Sequence, residues 1–540
     1  MIFIYHLQLP EAKCRLLKSA NSDKLLSMTD CYLKKILRAR VYDVAKKTPL
    51  DFAHGLSKRL NNAIYLKRED LQAVFSFKLR GAYNKIFHLS DAERQQGIIA
   101  ASAGNHAQGV ALAAQRLSLS AVIVMPKTTP GIKVSAVKSL GGHVILHGNT
   151  YDEAYEYANK MATEKQMTFI HPYDDPDVIA GQGTVAMELL QQHPDDIYAV
   201  FVPVGGGGLI AGVATYIKQV RPDIKIIGVE PDDAACLYQA LHHDKRVILD
   251  QVGIFADGVA VRQVGKIPFE LAQQYVDEVV LATTDEMCAA IKDIFDDTRA
   301  IVEPAGALSV AGLKKYIERE QLEDKNFIAI NSGANMNFDR LRHVAERSEL
   351  GEQREALFAV SIPEETGSFR KFCHSIGQRN ITEFNYRYSG SNVAQVFVGL
   401  QLREGIAEKN RVIERLRNDH YQVIDLTDNE MAISHIRYMV GGNAPQVANE
   451  QLYRFEFPER PGALLLFLNR LGQRWNISLF HYRNHGAAYG RILAGIQVPP
   501  EDHTPFQQFL TELGYANWRE TDNPAYQLFL SNTDIVQPIT

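Results

Sequence analysis

The residues of this sequence best placed to do chemistry are one lysine and three runs of small residues. Lys78 lies in EDLQAVFSFKLRGA (69–82), between Phe77 and Leu79, in a stretch that reads as the start of an amphipathic helix. A lysine of this kind is ordinarily a solvated surface group. In apolar surroundings its pKa falls, and the free amine is what a Schiff base requires. ASAGNHAQG (101–109) follows the strand-like GIIAA and opens the helical pattern AQGVALAAQRL. Small residues at Ser102, Ala103 and Gly104 let backbone N–H groups come close to a ligand, and the helix N-terminus favours an anion such as a carboxylate. The Asn105 amide can donate to a phenolic oxygen. The bland alternative is a strand-to-helix turn. PVGGGGLIAG (203–212) places four consecutive glycines, Gly205 to Gly208, before Leu209 and another helix. Such a run weakens the fold unless its N–H groups wrap a phosphate. No Gly-Lys-Ser/Thr follows, which excludes a nucleoside-triphosphate P-loop and favours a compact monophosphate. INSGANMN (330–337) puts Ser332 at the end of a strand, where serine is otherwise a common helix cap. A lysine for an imine, a cradle for one phosphate, and Asn and Ser at strand ends together suit one cofactor, pyridoxal phosphate.

These residues need elements to hold them. AVIVMP (121–126), HVILHG (143–148), YAVFVPVG (198–205), KIIGVEP (225–231) and NFIAINSG (326–333) each read as a buried strand, with helical patterns between most of them. That alternation predicts an α/β fold with a parallel sheet covered on both faces. Ligands of such sheets collect at the carboxyl ends of the strands. The chain has 540 residues, 46% hydrophobic and 22% charged, which is a globular composition. A net charge of -5 points to neither nucleic acid nor an anionic membrane as partner. No apolar run of membrane-spanning length occurs. Five scattered cysteines without a CxxC pair suit a reducing compartment, so a cytoplasmic location is expected. Residues 1–27 read as an extension, with Met28 as an alternative start, and 28–345 as the catalytic unit.

After about residue 350 the texture changes to an internal repeat. PEETGSFRKFCHSIGQRNITEFNYRYSGSNVAQVFVGLQLR (363–403) recurs as PERPGALLLFLNRLGQRWNISLFHYRNHGAAYGRILAGIQVP (458–499), with one extra residue at Trp475. Each copy reads β-α-β-β, giving two small α+β units over 356–430 and 451–525, with 436–451 as linker. Tyr386 and Tyr482 occupy equivalent positions, each followed by an arginine, Arg387 or Arg483.

The blocks KREDLQAVFSFKLRGA and SAGNHAQG, the tetraglycine and the doubled C-terminal module resemble those of the threonine dehydratases. These are pyridoxal-phosphate enzymes of fold type II (tryptophan synthase β-like). The doubled module looks like the two ACT-like (ferredoxin-like) domains of the isoleucine-regulated members. The resemblance implies that Lys78 forms the Schiff base and moves the α-proton, and that Asn105 bonds the pyridoxal 3′-oxygen. It implies that Gly205, Gly206, Gly207, Gly208 and Leu209 bind the phosphate and that Ser332 faces the pyridine nitrogen. Ser102, Gly104 and His106 then lie at the substrate carboxylate, with Glu303 near the ring edge. A serine at the pyridine nitrogen does not enforce its protonation as an aspartate would, which favours expelling a β-hydroxyl over transamination. The implied reaction is L-threonine to 2-oxobutanoate and ammonia, with L-serine as a further substrate. The implied effectors are isoleucine as inhibitor and valine as its opponent, bound near Tyr386, Tyr482 and Arg483, in a homotetramer. Two departures matter. The related serine racemases carry a serine where this chain has Ala103, so racemisation should be weak. Their metal site is matched at Glu230 and Ala234 but has Cys236 in place of an aspartate, so no metal is expected.

Overall fold

The computed structural model describes residues 32–193 and 196–531, except 364–367, 378, 380, 387–392, 439–447, 459–466, 468–469, 472–473 and 484–488. The expectations for residues 1–27 and Arg387 lie outside the described residues.

The strands of the first region are β1 (Leu50–Phe52), β2 (Ala63–Arg68), β3 (Ile98–Ala101), β4 (Ala121–Met125), β5 (His143–Leu146), β6 (Thr168–Phe169), β7 (Ala199–Pro203), β8 (Lys225–Pro231), β9 (Glu278–Ala282) and β10 (Asn326–Asn331). The five runs read as strands are β4, β5, β7, β8 and β10. They fall in two sheets. A six-stranded sheet has the order β1-β2-β10-β7-β8-β9, parallel except at β1. A four-stranded parallel sheet has the order β5-β4-β3-β6. Alternation alone did not disclose this split. β3 to β6 are one contiguous stretch that pairs only with itself, whereas β10, last in the chain, enters the middle of the larger sheet. Every residue of β7 is buried, as parallel strands covered on both faces require.

The helix bearing Lys78 is Lys78–Phe87, so it starts at the lysine and not at Glu69. Residues Glu69–Leu71 form only a single 3-10 turn. The reason is electrostatic. Arg68 holds Asp70 at 2.7 Å, and Glu69 is drawn to Arg80, so both carboxylates turn inward. The chain then reverses through Phe75, whose φ of 55° is left-handed. The Lys78 helix lies against Pro176–Gln192 with no room for side chains between them. A Cβ on Gly181 would fall 2.6 Å from the Arg80 carbonyl oxygen. On another side, a Cβ on Gly109 would fall 3.1 Å from the Lys78 carbonyl carbon.

Below this helix lies a fully buried charge network. The Arg80 guanidinium binds both oxygens of Glu69 and both of Glu188, at 2.7–3.0 Å. Lys67 donates to Glu188 at 2.6 Å and to the Thr48 carbonyl at 2.7 Å. Thr48, Gln72 and Tyr42 donate to the remaining carboxylate positions. Two cations face two carboxylates, and the lone pairs are used, which is the condition under which buried ions are tolerated.

The C-terminal region holds two copies of one sheet. β11 (Glu355–Pro363), β12 (Ile381–Tyr386), β13 (Val393–Gln401) and β14 (Gln422–Asp425) make the antiparallel order β12-β13-β11-β14. β15 (Glu450–Pro458), β16 (Asn476–Arg483), β17 (Tyr489–Gln497) and β18 (Asn517–Arg519) repeat it as β16-β17-β15-β18. Each unit extends past the sequence repeat by a second helix and a fourth strand, Gly405–Asn418 with β14 and His503–Leu513 with β18. The polar helix faces and short last strands gave that half little periodicity. The two units share a core that joins Leu357, Phe397 and Met431 to Leu452, Leu493 and Tyr526. Asn429 and Asn523, which cap equivalent helices, meet at 3.3 Å across that contact.

Removing one charge from the buried network leaves another unpaired. Glu188→Gln is expected to lower the unfolding free energy by about 3 kcal/mol or more, read by chemical denaturation. A loss below about 1 kcal/mol would show that the pair is not what holds Arg80.

Candidate functional site

The carboxyl ends of β3 and β10 and the N-termini of two helices open on one cleft. Lys78 enters it from the first position of its helix. Its Nζ donates to the Pro172 carbonyl at 3.0 Å and lies 5.2 Å from the centre of the Phe77 ring. Burial pushes the amine down to about 8, against the opposing pull of the Glu303 charge. Burial is thus the physical cause of the lowered pKa expected for this lysine.

Asn105 is the first residue of the helix Asn105–Arg116, whose N-cap is Gly104 with no capping side chain. Its amide nitrogen donates to Glu303 at 2.5 Å, and its amide oxygen accepts from Asn335 at 2.6 Å. One amide hydrogen remains for a ligand. Glu303 is buried, and burial together with the Asp257 charge pushes its carboxyl up to about 7. Ser102 accepts from the Gly104 N–H at 3.3 Å. The His106 ring is engaged within the protein. Its Nε2 lies 2.9 Å from the Ile170 carbonyl, which can only accept, so Nε2 carries the proton. Burial and the Lys78 charge push the ring down to about 3, which leaves Nδ1 a bare lone pair. Only the backbone N–H of His106 can serve a carboxylate.

Gly205, Gly206 and Gly207 run from β7 into the helix Gly208–Val220, which carries Leu209 in its first turn. Gly207, at φ 91°, is the N-cap and supplies no side chain, so the first-turn N–H groups are open to an anion. The Tyr173 ring covers the loop, since a Cβ on Gly206 would fall 2.2 Å from it. Ser332 closes β10 and its hydroxyl donates to the Ala305 carbonyl at 3.2 Å. The preceding residue, Asn331, is fully buried with neither side-chain polar atom paired.

The groups noted for a metal are used otherwise. Glu230 is buried and accepts from the Leu237 and Tyr238 N–H groups at 2.8 and 2.7 Å, while burial pushes it up to about 8. Cys236 lies within 3.5 Å of both Glu230 and the Gly205 carbonyl, and burial pushes its thiol upward. In the C-terminal units, the backbones of Tyr386 and Tyr482 take matching registers, opposite Val396 and Ile492. Arg483 ends β16. The side chains of all three lie outside the described residues.

Comparison with known proteins agrees with this layout. The family described as pyridoxal-phosphate dependent enzyme matches residues 41–333. The C-terminal regulatory domain of threonine dehydratase matches twice, at 346–436 and 441–530. The biosynthetic L-threonine dehydratase of Burkholderia multivorans is 57% identical, over 93% of this chain and 99% of that one. That of Escherichia coli is 53% identical, over 93% and 97%. The chain belongs to the biosynthetic threonine dehydratases. A solved structure of the processed form of threonine deaminase isoform 2 from Solanum lycopersicum is 52% identical to this dehydratase, with a TM-score of 0.59, covering 62% of this chain and 90% of that one. A serine racemase from Dictyostelium discoideum is 31% identical, with a TM-score of 0.53, over 57% and 99%. The cofactor of this dehydratase is pyridoxal phosphate. The residues present fit it: a partly neutral amine, an uncapped helix start behind three glycines, and a loop with no space for a Cβ.

Two features escaped sequence reading. Tyr173, from an unremarkable HPYDD stretch, covers the glycine loop, and Asn335, four residues past Asn331, holds Asn105. Neither had a local signal beyond proximity to a strand end.

Gly206→Ala should displace the Tyr173 ring and weaken cofactor retention about tenfold or more, measured by equilibrium dialysis. Gly104→Ala, which meets only the Lys133 Nζ at 4.0 Å, should retain the cofactor normally.

Proposed function

We propose that this dehydratase converts L-threonine to 2-oxobutanoate and ammonia at the Lys78 cleft, accepts L-serine as a further substrate, and is inhibited by isoleucine with valine opposing. The observation that carries the reading is the convergence of the Lys78 amine, the uncapped Asn105 helix and the tetraglycine on one cleft. The doubled regulatory match supports effector control; a homotetramer is carried only by the family resemblance, and a cytoplasmic location by the scattered cysteines without a CxxC pair. Among the described residues no helix is long and apolar enough to cross a membrane.

When bound, pyridoxal phosphate supplies an electron sink for charge developing at the substrate α-carbon. The N–H groups of Gly205 to Leu209 hold its phosphate, Asn105 bonds its 3′-oxygen, and Ser332 faces its ring nitrogen. Glu303 keeps the Asn105 amide turned toward the cleft. The N–H groups at Asn105 and His106, with Ser102 and Gly104, receive the substrate carboxylate. Lys78, once its amine is free, takes the α-proton. The electron pair left behind forms the α,β double bond as the β-hydroxyl departs, taking up the proton that Lys78 removed and leaving as water. The released enamine is hydrolysed by water to 2-oxobutanoate and ammonia. Ala103 offers no acid on the opposite face, so proton return there is slow and racemisation is minor.

The proposed effector site is near Tyr386, Tyr482 and Arg483, at the ends of β12 and β16. Coupling must then be reciprocal, each ligand weakening the other by one factor.

Purified protein should form 2-oxobutanoate from L-threonine, with L-isoleucine suppressing the rate. Lys78→Ala should abolish both turnover and the visible absorbance of bound cofactor, and turnover by that variant would remove Lys78 from its role. Tyr386→Ala and Tyr482→Ala should blunt inhibition while sparing basal turnover. The amine makes a pH prediction as well. Its ammonium is disfavoured, so the fraction able to capture cofactor rises with pH through about 8. Capture by the apoprotein, followed at its visible band, should show that midpoint. Glu303→Gln removes the charge that stabilises the ammonium and should move the midpoint to lower pH. A midpoint near the ordinary lysine value of about 10.4 would show that the amine is solvated.

A further inference from the structure

One ion pair at the cleft has no part in the chemistry above. Lys133, on the helix Gly131–Ser139 of the smaller-sheet side, donates to Asp257 Oδ2 at 2.6 Å. The same Nζ is the only atom within 4 Å of the place a Cβ on Gly104 would take. The charged group closest to the Gly104 end of the Asn105 helix is therefore a cation, while Glu303 lies against the Asn105 side chain. Asp257 reaches the cleft from the other side. A Cβ on the next residue, Gly258, would lie 3.5 Å from the Glu303 carboxyl and 3.7 Å from the Asn105 amide.

Asp257 is bound twice. Oδ2 takes Lys133 and Oδ1 faces Arg340 at 3.5 Å. Burial would raise this carboxyl, but the two cations hold it down near 2. It can release one cation and remain paired. Lys133 has no second acidic partner among the described ion pairs, and its side chain is only 14% exposed. A carboxylate entering this cleft meets Asp257 and Glu303, both repulsive when ionised. The cation nearest the Gly104 loop offsets that repulsion where it matters. In the same first turn, the buried His106 Nδ1 has no hydrogen-bond partner.

We propose that Lys133 binds the substrate's α-carboxylate together with the first-turn N–H groups of the Asn105 helix, and that Asp257 holds the ammonium over Gly104 until substrate arrives. The proposal rests on the reading of 102–106 as the carboxylate loop. Substrate carboxylate then replaces Asp257 as the acceptor of Lys133, and Asp257 turns its charge to Arg340. No covalent bond changes.

The test uses the holoenzyme and two unreactive ligands, L-2-aminobutanoate and its amino alcohol, which lacks the carboxylate. Both dissociation constants are read from the visible absorbance of the bound cofactor, beside KM and kcat for L-threonine. Lys133→Met should raise KM and the 2-aminobutanoate constant about tenfold to a hundredfold, the range for a charged hydrogen bond, and leave the amino alcohol unaffected. Lys133→Arg should restore most of the loss. Equal weakening of both ligands would mean that the pair only closes the cleft, and an unchanged 2-aminobutanoate constant would remove Lys133 from the site. Either result overturns the proposal. If the unaltered enzyme itself does not distinguish the two ligands, the carboxylate loop reading fails as well. If it distinguishes them and Lys133→Met does so equally, only the role of Lys133 fails.

Discussion

The direction of the Lys78 side chain depends on a guanidinium two residues further on. Arg80 is fully buried and bound by four carboxylate oxygens from Glu69 and Glu188. A buried ion network of this kind adds little net stability compared with a well-packed apolar core, yet breaking it is costly. That asymmetry makes it a positional device. Glu69 lies just before the Phe75 reversal and Glu188 lies on Pro176–Gln192, so the first turn of the Lys78 helix is fixed to the chain before it and to the helix beside it. Packing without side chains at Gly81 and Gly181 leaves the helix no room to slide. The roles proposed for the Lys78 amine need such fixing, because effective molarity collapses with small misplacement.

The rest of the cleft follows from topology. Two separate parallel sheets present their carboxyl ends to each other, and each contributes an uncapped helix N-terminus. One is approached through three glycines beneath Tyr173, the other through Ser-Ala-Gly beneath Lys133. Helix starts left without side-chain caps weaken the local fold. Other helices of the chain lack a side-chain cap as well, so what sets these two apart is that their starts face the cleft. Neutral histidines line the same cleft. Burial pushes His106 to about 3 and His171 to about 4, so neither adds a charge that would oppose the lysine near neutral pH.

Much of this was legible in the residues. The tetraglycine and the Ser-Ala-Gly-Asn run announce themselves because consecutive glycines cost chain entropy and small residues let backbone N–H groups approach a ligand, and β4, β5, β7, β8 and β10 are short apolar runs bounded by turn residues. What was not legible is what depends on distant pairing. Glu69 looked like the first turn of a helix, because nothing local shows that Arg80 will draw it inward. The separation of β3–β6 from the larger sheet depends on which strands find each other, and periodicity is silent on that. His106 matched a family position, but its side chain turned out to be committed to Ile170, leaving only its backbone for a ligand. Asp257 and Lys133 lie 124 residues apart and carry no motif at all.

The same limit applies to the joint between the catalytic and regulatory regions. The helix Arg340–Gly351 makes contacts at both its ends. At its start, Arg340 donates to the Phe255 carbonyl at 3.0 Å and faces Asp257. Two turns on, Arg347 binds Asp285 of the catalytic region and, at 2.9 Å, Glu430 of the first regulatory unit. Beyond its end, Glu352 binds Arg59 and Lys314. Gly351 passes so close to the Asp285 carbonyl that a Cβ there would fall 2.0 Å from it. A helix tied at this many points moves as a body or not at all, since each tie involves a half-buried or buried charge that would lose its partner. Any rearrangement of the regulatory pair large enough to shift Glu430 therefore has two outcomes available. It breaks the Arg347–Glu430 pair and leaves the cleft untouched, or it carries the helix along and changes how Arg340 meets Asp257. Only the second gives a ligand of the regulatory pair a difference in free energy to exert on the catalytic end, and without such a difference no ligand can shift an equilibrium.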